Sequence, residues 1–507
     1  MKKLFWFLTL FIVLNITTVY FFLFTSFGNG IVSDIVEKNL NEKGVAHFKV
    51  EQFTLDTDLI KFKLIIDSNS VIEVNGNMNV FSKNVDLKYN VDVKDLSKLQ
   101  KFTKQKLNGP VKASGTVKGD KALTIVNGVT NIFDSKTSYI VNLKDFEPDT
   151  IKYSMKGAKI QTLLHTVNQP NYANGLIDIT GDITGAKPEN LSGKIITKIY
   201  NSQVNIPIVN EKFKMKLKKA LKFNGDIITK LEPYKLVSKV DFFTSMANVF
   251  TTKSVVNIKD GSINSDYKIS IDNLANVYDI SNTKMRGSLK LDGTVQKDKD
   301  LIVTGTSNFL LGKLDFKLKN DDFTANVNNI KVRSLTYMLF YPEIFDSRAN
   351  AVVNYNLAQS TGQISADLKN GRFIPNKFSY LVNQLARFDL TKEVYEVVDL
   401  KSKINKEIIN SDINMKSKHT NIEVKNSTLN TKKRTVDALV KTNIKGIKFD
   451  TKITGSLDKP KIKVDSSKLI QSGVKQKAME KIEEQIGKKL GDGAAKDLLK
   501  GLKGLFQ

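Results

Sequence analysis

The residues best suited to metal or acid–base chemistry in this 507-residue chain are its three histidines. His47, His165 and His419 lie in separate parts of the sequence, and none forms the H-x-x-x-H pair that places two imidazoles on one helix face for a metal ion. The chain has no cysteine, which excludes thiolate metal ligands, disulfides and cysteine nucleophiles together. These residue types therefore predict structural histidines and no metal site.

Two carboxylate pairs, Asp56/Asp58 and Asp321/Asp322, have the residue types of a general acid–base pair. Both pairs lie in polar stretches between apolar runs, which is typical of solvated turns. The sequence also lacks the G-x-S-x-G nucleophile motif, the G-x-x-x-x-G-K-[S/T] phosphate loop and a G-x-G-x-x-G loop after a strand. We therefore predict no enzyme activity and no cofactor, and a hydrolase is disfavoured.

The dominant pattern of the chain is strict alternation of apolar and polar residues, clearest at 85–94, VDLKYNVDVK. Successive strand side chains point to opposite faces, so this pattern predicts strands with one apolar face and one water-facing face. The same alternation recurs in LDFKLKND, VNYNLAQSTGQISADLKNG and IKFDTKITGSL. The apolar-face positions of these four stretches, which are candidates for lining a groove, are Val85, Leu87, Tyr89, Val91, Val93, Leu314, Phe316, Leu318, Val353, Tyr355, Leu357, Ile447, Phe449 and Ile453.

Residues 45–464 are predicted to form one extended β region of roughly 30 strands, at about 12–14 residues for each strand and its turn. A recurrent x-G-[T/S/D]-apolar element, as in SGTV at Ser114 and TGDI at Thr180, predicts glycines at bulges, close backbone approaches or turns. Its irregular spacing argues against a propeller or solenoid of fixed period. No Pro/Gly/Ser-rich linker divides the region, which favours a single mainly β architecture.

The chain begins with a basic segment at 1–3 and an uncharged run that includes 4–27. As a helix, 4–27 would measure roughly 36 Å, enough to cross a hydrocarbon core of about 30 Å with some tilt. Lysines before the run and acidic residues after it orient the short N-terminus towards the cytoplasm. A cleaved signal peptide is the alternative, but the run is long for one and no A-x-A-like site follows. We predict a single-pass transmembrane anchor.

Helical periodicity appears in a few places around and between the strands. Apolar residues at helical spacing predict an amphipathic helix at 31–44 and two amphipathic helices with lysine-rich faces within 465–507. The C-terminal helices are expected to dock on a membrane or partner, or to cover an open end of the sheet. Short internal helices are predicted at 157–167, 332–345 and 376–388, where they would plug or cap the apolar face.

The net charge of +26 comes mostly from lysines on the predicted solvent faces of strands. Such a charge favours either an anionic surface as a partner or simple solubility, and the even spread of the lysines favours solubility. The six arginines are scattered along the sequence, whereas nucleic-acid-binding proteins usually cluster arginine beside stacking aromatic residues. We therefore predict that nucleic acid is not a partner.

The stretch ITGSLDKPKIKVDSSKL at 453–469 has a G-[T/S]-L-D-x-P-x-apolar-x-apolar pattern just before the terminal amphipathic helices. Together with the predicted anchor, the long run of predicted strands and the β-like stretch at 388–430, this pattern makes the chain resemble the AsmA-like family of Gram-negative envelope proteins. The larger members of that family include TamB and YhdP. The resemblance implies a long, twisted, U-shaped antiparallel sheet (a β-taco) whose apolar groove carries phospholipid between the inner and outer membranes. It also implies an inner-membrane protein with its bulk in the periplasm, in support of outer-membrane biogenesis, and no catalytic residue.

Two hypotheses follow for the apolar face. If the face stays open, it lines a groove, and an uncovered apolar surface of that size implies an apolar ligand such as acyl chains. The protein would then be a lipid conduit with phospholipid, the inner membrane and an outer-membrane or periplasmic protein as partners. If the apolar faces close on each other as sandwiches, the protein would be a non-transporting assembly factor or scaffold that binds protein partners.

Overall fold

A computed structural model of the chain describes residues 29–43, 46–56, 58–79, 82–185 and 187–465. The predicted anchor at 4–27 and, beyond Asp465, the predicted helices at 465–507 lie outside the described residues. Within the described part of the chain, no helix has the length and apolar character needed to span a membrane.

The described residues are mainly β, as the alternating pattern predicts, and their 26 strands belong to one antiparallel sheet. In chain order the strands are β1 Phe48–Leu55, β2 Leu59–Ile66, β3 Ser70–Asn79, β4 Asn84–Val93, β5 Val111–Gly119, β6 Thr124–Thr130, β7 Lys136–Lys144, β8 Glu147–Lys159, β9 Ala173–Thr184, β10 Ser192–Val204, β11 Lys222–Glu232, β12 Lys235–Thr244, β13 Asn248–Asn257, β14 Ile263–Ile271, β15 Leu289–Lys297, β16 Leu301–Phe309, β17 Gly312–Lys319, β18 Asp322–Lys331, β19 Phe345–Asn356, β20 Thr361–Phe373, β21 Tyr395–Asn405, β22 Ile408–Ser417, β23 Thr420–Asn430, β24 Thr435–Ile444, β25 Ile447–Ser456 and β26 Lys461–Asp465.

The chain divides into two compact units at Asp266 and Tyr267, here called unit 1 and unit 2. In unit 1 each strand from β1 to β12 pairs antiparallel with the next strand in sequence. In unit 2 the same holds from β15 to β25. Each unit is therefore a meander, in which tight turns or short helical segments connect successive antiparallel strands.

In each unit, one face of the sheet carries the apolar positions of the alternating strands and is here called the inner face. Directly paired residues lie on the same face, and one row of pairs runs Leu87, Val117, Val126, Val141 and Ile151 across β4 to β8. All five side chains are buried in one continuous hydrophobic core. The strands therefore form because each buries its apolar side against its neighbours while its polar side stays in water.

Glycines of the recurrent x-G-[T/S/D] element sit on this inner face beneath aromatic rings. A Cβ added to Gly115 would come within 2.6 Å of the Tyr89 hydroxyl, and one added to Gly181 within 2.2 Å of the Tyr153 ring. These positions confirm the predicted close approaches, since a side chain larger than hydrogen would displace the ring. The RGSL copy differs, because Gly287 has φ +98° and open space around it.

Within the described residues, seven helices and four 3-10 turns accompany the strands. They are α1 Asn29–Lys43, α2 Gln100–Thr103, α3 Ile160–Thr166, α4 Ile206–Phe213, α5 Tyr278–Ser281, α6 Val332–Met338 and α7 Lys377–Ala386, with 3-10 turns at Leu96–Leu99, Ile132–Asp134, Leu274–Val277 and Leu390–Lys392. The helices predicted at 31–44, 157–167, 332–345 and 376–388 correspond to α1, α3, α6 and α7.

Helix α1 covers the free edge of β1. The Phe48 amide donates to Asn41 Oδ1, and Asn41 Nδ2 donates to the Phe48 carbonyl, each at 2.8 Å. The Val50 amide donates to Glu37 Oε2 at 2.9 Å. Side chains of the helix thus take the place of a neighbouring strand, which protects an edge that would otherwise pair with another chain.

Helix α7 fills the inner face at the C-terminal end of unit 2. Asn376 caps the helix in a reciprocal capping box with Ser379. Its buried side chains Leu381, Val382 and Leu385 belong to the same core as residues of β20 to β25. The prediction that this segment plugs the apolar face is confirmed.

Candidate functional site

The inner face of unit 1 is less well covered at one end of its later strands. There, Ile177 of β9 pairs with Ile199 of β10, and Phe242 of β12 pairs with Val249 of β13, yet all four side chains remain partly accessible to solvent. The rings of Phe223 and Phe242 lie 5.5 Å apart on this surface. The half-buried apolar residues here, called the unit 1 inner patch, are Ile177, Ile199, Phe223, Ile227, Val240, Phe242 and Val249.

Unit 2 has a comparable surface across β15 to β20. One row of pairs joins Leu318, Phe323 and Tyr355, and the Phe316 and Phe323 rings stack with centroids 5.7 Å apart. The half-buried apolar residues of this face, called the unit 2 inner patch, are Leu289, Leu291, Val303, Leu314, Phe316, Leu318, Phe323, Val327, Val353, Tyr355, Ile364 and Leu368.

The sequence-predicted groove residues fall into three environments. Five lie on the unit 2 inner patch, in register across β17 to β19. Three lie on β25 and belong to, or pack against, the hydrophobic core that contains α7. Five more lie in the closed core of unit 1, where surrounding protein side chains cover them. The residues on the unit 2 inner patch are Leu314, Phe316, Leu318, Val353 and Tyr355. Those on β25 are Ile447, Phe449 and Ile453, and those in the unit 1 core are Val85, Leu87, Tyr89, Val91 and Val93.

Leu357 lies one residue beyond the end of β19, which ends at Asn356. Its amide donates to the Asp321 carbonyl at 2.8 Å, and its side chain is 49% exposed. Its place among the groove residues stays a prediction.

Tyrosines fill the closed part of the unit 1 interior. Tyr139 pairs with Tyr153 across β7 and β8, and the hydroxyls of Tyr89 and Tyr139 are 2.5 Å apart. Burial raises the pKa of all three phenols above the ordinary value. These groups stay neutral at physiological pH, so the interior offers no charge to a ligand in this region.

The opposite face of the sheet, here called the outer face, is mostly polar and carries cross-strand ion pairs, although apolar side chains such as Ile228 and Phe243 are also exposed on it. Lys118 lies 3.0 Å from Asp86, and Lys152 lies 3.2 Å from Asp182. Hydrogen bonding from Thr306, with a further contribution from Lys313, holds the pKa of Asp315 below its usual value. Exposed ion pairs of this kind each add little stability.

The described residues provide no metal centre. Among them, no group of three or more His, Asp or Glu side chains is arranged to hold a metal ion. His419 instead lies 3.2 Å from the buried carboxylate of Glu393 and stacks edge-on near Phe388. The inner patches can therefore offer a ligand apolar contact along consecutive strands, with few groups that demand hydrogen bonds.

Comparisons with protein-family models, with curated proteins and with solved structures find no match to this chain.

Proposed function

We propose that this chain is an inner-membrane-anchored periplasmic protein that shields phospholipid acyl chains on its inner patches and conducts them between the inner and outer membranes. The observation that carries the proposal is the partial exposure of the inner face. The closed parts of each unit bury nearly all of this face, whereas the apolar side chains of the two inner patches are only half-buried. A contiguous apolar surface that remains accessible in water is typical of a binding site for an apolar ligand.

Acyl chains suit the inner patches for a chemical reason. They need no hydrogen-bond partner, and their contact with apolar side chains gains roughly 25 cal/mol for each Å² removed from water. Because the patches continue from strand to strand and no single polar group fixes where a ligand binds, an acyl chain could bind at many positions. This property supports passage along the sheet over capture at a single site.

The cellular setting of the proposal rests on the sequence. The uncharged segment 4–27 is proposed as the membrane anchor, and the AsmA-like resemblance is the basis for the periplasmic location and for a role in outer-membrane biogenesis. A partner protein in the outer membrane or periplasm would receive or deliver the lipid. The U-shaped groove and the C-terminal amphipathic helices within 465–507 belong to the same proposal.

The proposal is tested by two neighbouring valines of β19 that point to opposite faces. Val353 lies on the unit 2 inner patch beside Ala325 and Ile364, whereas Val352 is 47% exposed on the outer face. An aspartate at 353 would set a carboxylate against a bound acyl chain at a cost of about 2 kcal/mol, roughly thirtyfold in affinity at that position. The measurement is the number of phospholipids per full-length chain, by mass spectrometry of lipid extracts after extensive detergent exchange.

We expect the parent protein and Val352→Asp to retain the same number of phospholipids and Val353→Asp to retain fewer. Circular dichroism of each variant establishes that the sheet is intact. Equal lipid content in the two folded variants, or a lipid-free parent protein, would contradict the conduit. The second outcome would favour the scaffold, whose partners are proteins.

A further inference from the structure

Arg286 of unit 2 contacts two aromatic rings. Its guanidinium carbon lies 4.0 Å from the centroid of the Tyr337 ring and 3.8 Å from that of Phe340, and its backbone amide donates to the Met338 carbonyl at 3.0 Å. Cation–π contact with two rings restricts the guanidinium and leaves its N–H groups as the part that can bond a ligand. The Nε atom of Arg286 is buried and has no hydrogen-bond partner among the residues that the structure describes.

This guanidinium borders a cavity of about 420 Å³ with more basic than acidic groups. Lys331 and Arg333 also line it, while Glu343 is the acidic side chain there and is engaged at 2.7 Å by Arg333 Nε. The polar side chains that line the cavity are Arg286, Ser288, Lys331, Arg333, Ser334, Tyr337 and Glu343. Three cations against one carboxylate leave an excess of two positive charges beside three hydroxyl groups.

A buried donor without a partner is costly, because it has given up water without receiving another acceptor. A phosphate group would satisfy Arg286, since its oxygens match the guanidinium edge in spacing and charge. The nearby lysine and serine side chains supply the further donors that a phosphate of charge −1 or −2 accepts. A neutral ligand would leave the excess positive charge uncompensated.

We propose that the Arg286 cavity binds the phosphate group of an anionic ligand. As a lipid headgroup site, the assignment rests on the proposed function and extends it. Ser288 directly precedes β15, Leu310 directly follows β16 and Lys331 ends β18, so the cavity lies at the strand ends of the same strands that carry the unit 2 inner patch. Tyr337 and Phe340, the rings that contact Arg286, are 50% and 41% exposed. A phosphodiester bound here would place its acyl chains beside apolar side chains.

The test uses the full-length chain and three probes that separate the sources of phosphate: inorganic phosphate, glycerophosphoglycerol and dihexanoyl phosphatidylglycerol below its micelle concentration. Binding is measured by titration calorimetry. In parallel, a sample with isotope-labelled arginine reports the Nε–Hε signal of each of the six arginines. We expect the Arg286 signal to shift on titration, because its Nε gains an acceptor.

Arg286→Gln should weaken binding of the phosphodiester probes by roughly tenfold to a hundredfold, the range for losing charge-assisted hydrogen bonds. Arg286→Lys retains the charge and should still bind more weakly than the parent, because an ammonium cannot stack or bind in a bidentate manner. Arg372→Gln is the matched control, since it makes the same change at an exposed strand position and should bind as the parent does. Parent-like affinity in folded Arg286→Gln, or an Arg286 signal that no probe shifts, would overturn the site.

The outcomes separate this site from the lipid conduit. Tighter binding of the short-chain lipid than of inorganic phosphate supports a headgroup site. Equal binding of the two supports a phosphate site and overturns its assignment to lipid. Phosphate binding at Arg286 in a protein that retains no phospholipid would overturn the conduit and leave the site in place. If the parent binds no phosphate and Arg286→Gln retains as much lipid as the parent, the site would be overturned and the conduit would stand.

Discussion

At the scale of single residues, burial decides what each apolar side chain contributes. Leu87 is 1% exposed and packs in the unit 1 core with Val117 and Val126, so its methyl groups contact protein on every side. Leu357, at 49% exposed, keeps about half of its surface in contact with water. The two leucines therefore form a matched pair for measuring what the closed interior contributes to stability.

Leu87→Ala should lower the free energy of unfolding of unit 1 by about 2–5 kcal/mol, because a cavity replaces well-packed methyl groups. Leu357→Ala should change stability by less than about 0.5 kcal/mol, as expected for a surface position. Urea denaturation of the full-length protein followed by circular dichroism measures both. A neutral Leu87→Ala would mean that the interior of unit 1 is open where the structure shows it closed.

At the scale of elements, the ends of the sheet need protection as much as its faces do. Helix α1 satisfies backbone groups of β1 through Asn41 and Glu37, whereas Asn39 on the same helix bonds only its own helix, to the Ile35 carbonyl. The two asparagines thus differ in whether they reach the sheet edge.

Asn41→Ala should speed amide hydrogen exchange at Phe48 by roughly threefold to tenfold, because a typical hydrogen bond contributes about 0.5–1.5 kcal/mol. Asn39→Ala should leave exchange in β1 unchanged. Exchange mass spectrometry with peptides that cover 46–56 provides the measurement. Equal effects of the two substitutions would indicate that α1 protects the edge by packing alone, without the side-chain hydrogen bonds.

The sequence predicts these elements to different extents. Strands and the helices α1, α3, α6 and α7 could be predicted because their periodicity is local and their turn residues are distinctive. Helix α4 was not predicted, because IPIVNEKF is short and follows directly on a strand of similar apolar character. The end of β19 at Asn356 also escaped prediction, since apolar alternation continues to Leu357 although strand pairing stops.

At the scale of the whole chain, the sequence predicts which residues are apolar on one face but not how completely the face is covered. Val91 and Val353 have equivalent alternating patterns, yet one is buried in a closed core and the other lies on an inner patch. Coverage depends on contacts between residues far apart in sequence, which periodicity does not contain. The arginines are another case in which spacing along the sequence does not show which residues the fold brings together. Arg286, Arg333 and Arg434 lie far apart in sequence, yet each contacts a residue within 337–343.

The central claim, that lipid occupies the inner face, is tested most directly by photo-crosslinking at two adjacent phenylalanines of β12. Phe242 lies on the unit 1 inner patch, and Phe243 is 41% exposed on the opposite face. Benzoylphenylalanine replaces each in turn in the full-length protein, and covalent adducts formed in cells are identified by mass spectrometry. We expect many more phospholipid adducts with the crosslinker at position 242 than at position 243. Equal labelling of both positions, or no phospholipid adduct at 242, would contradict the central claim.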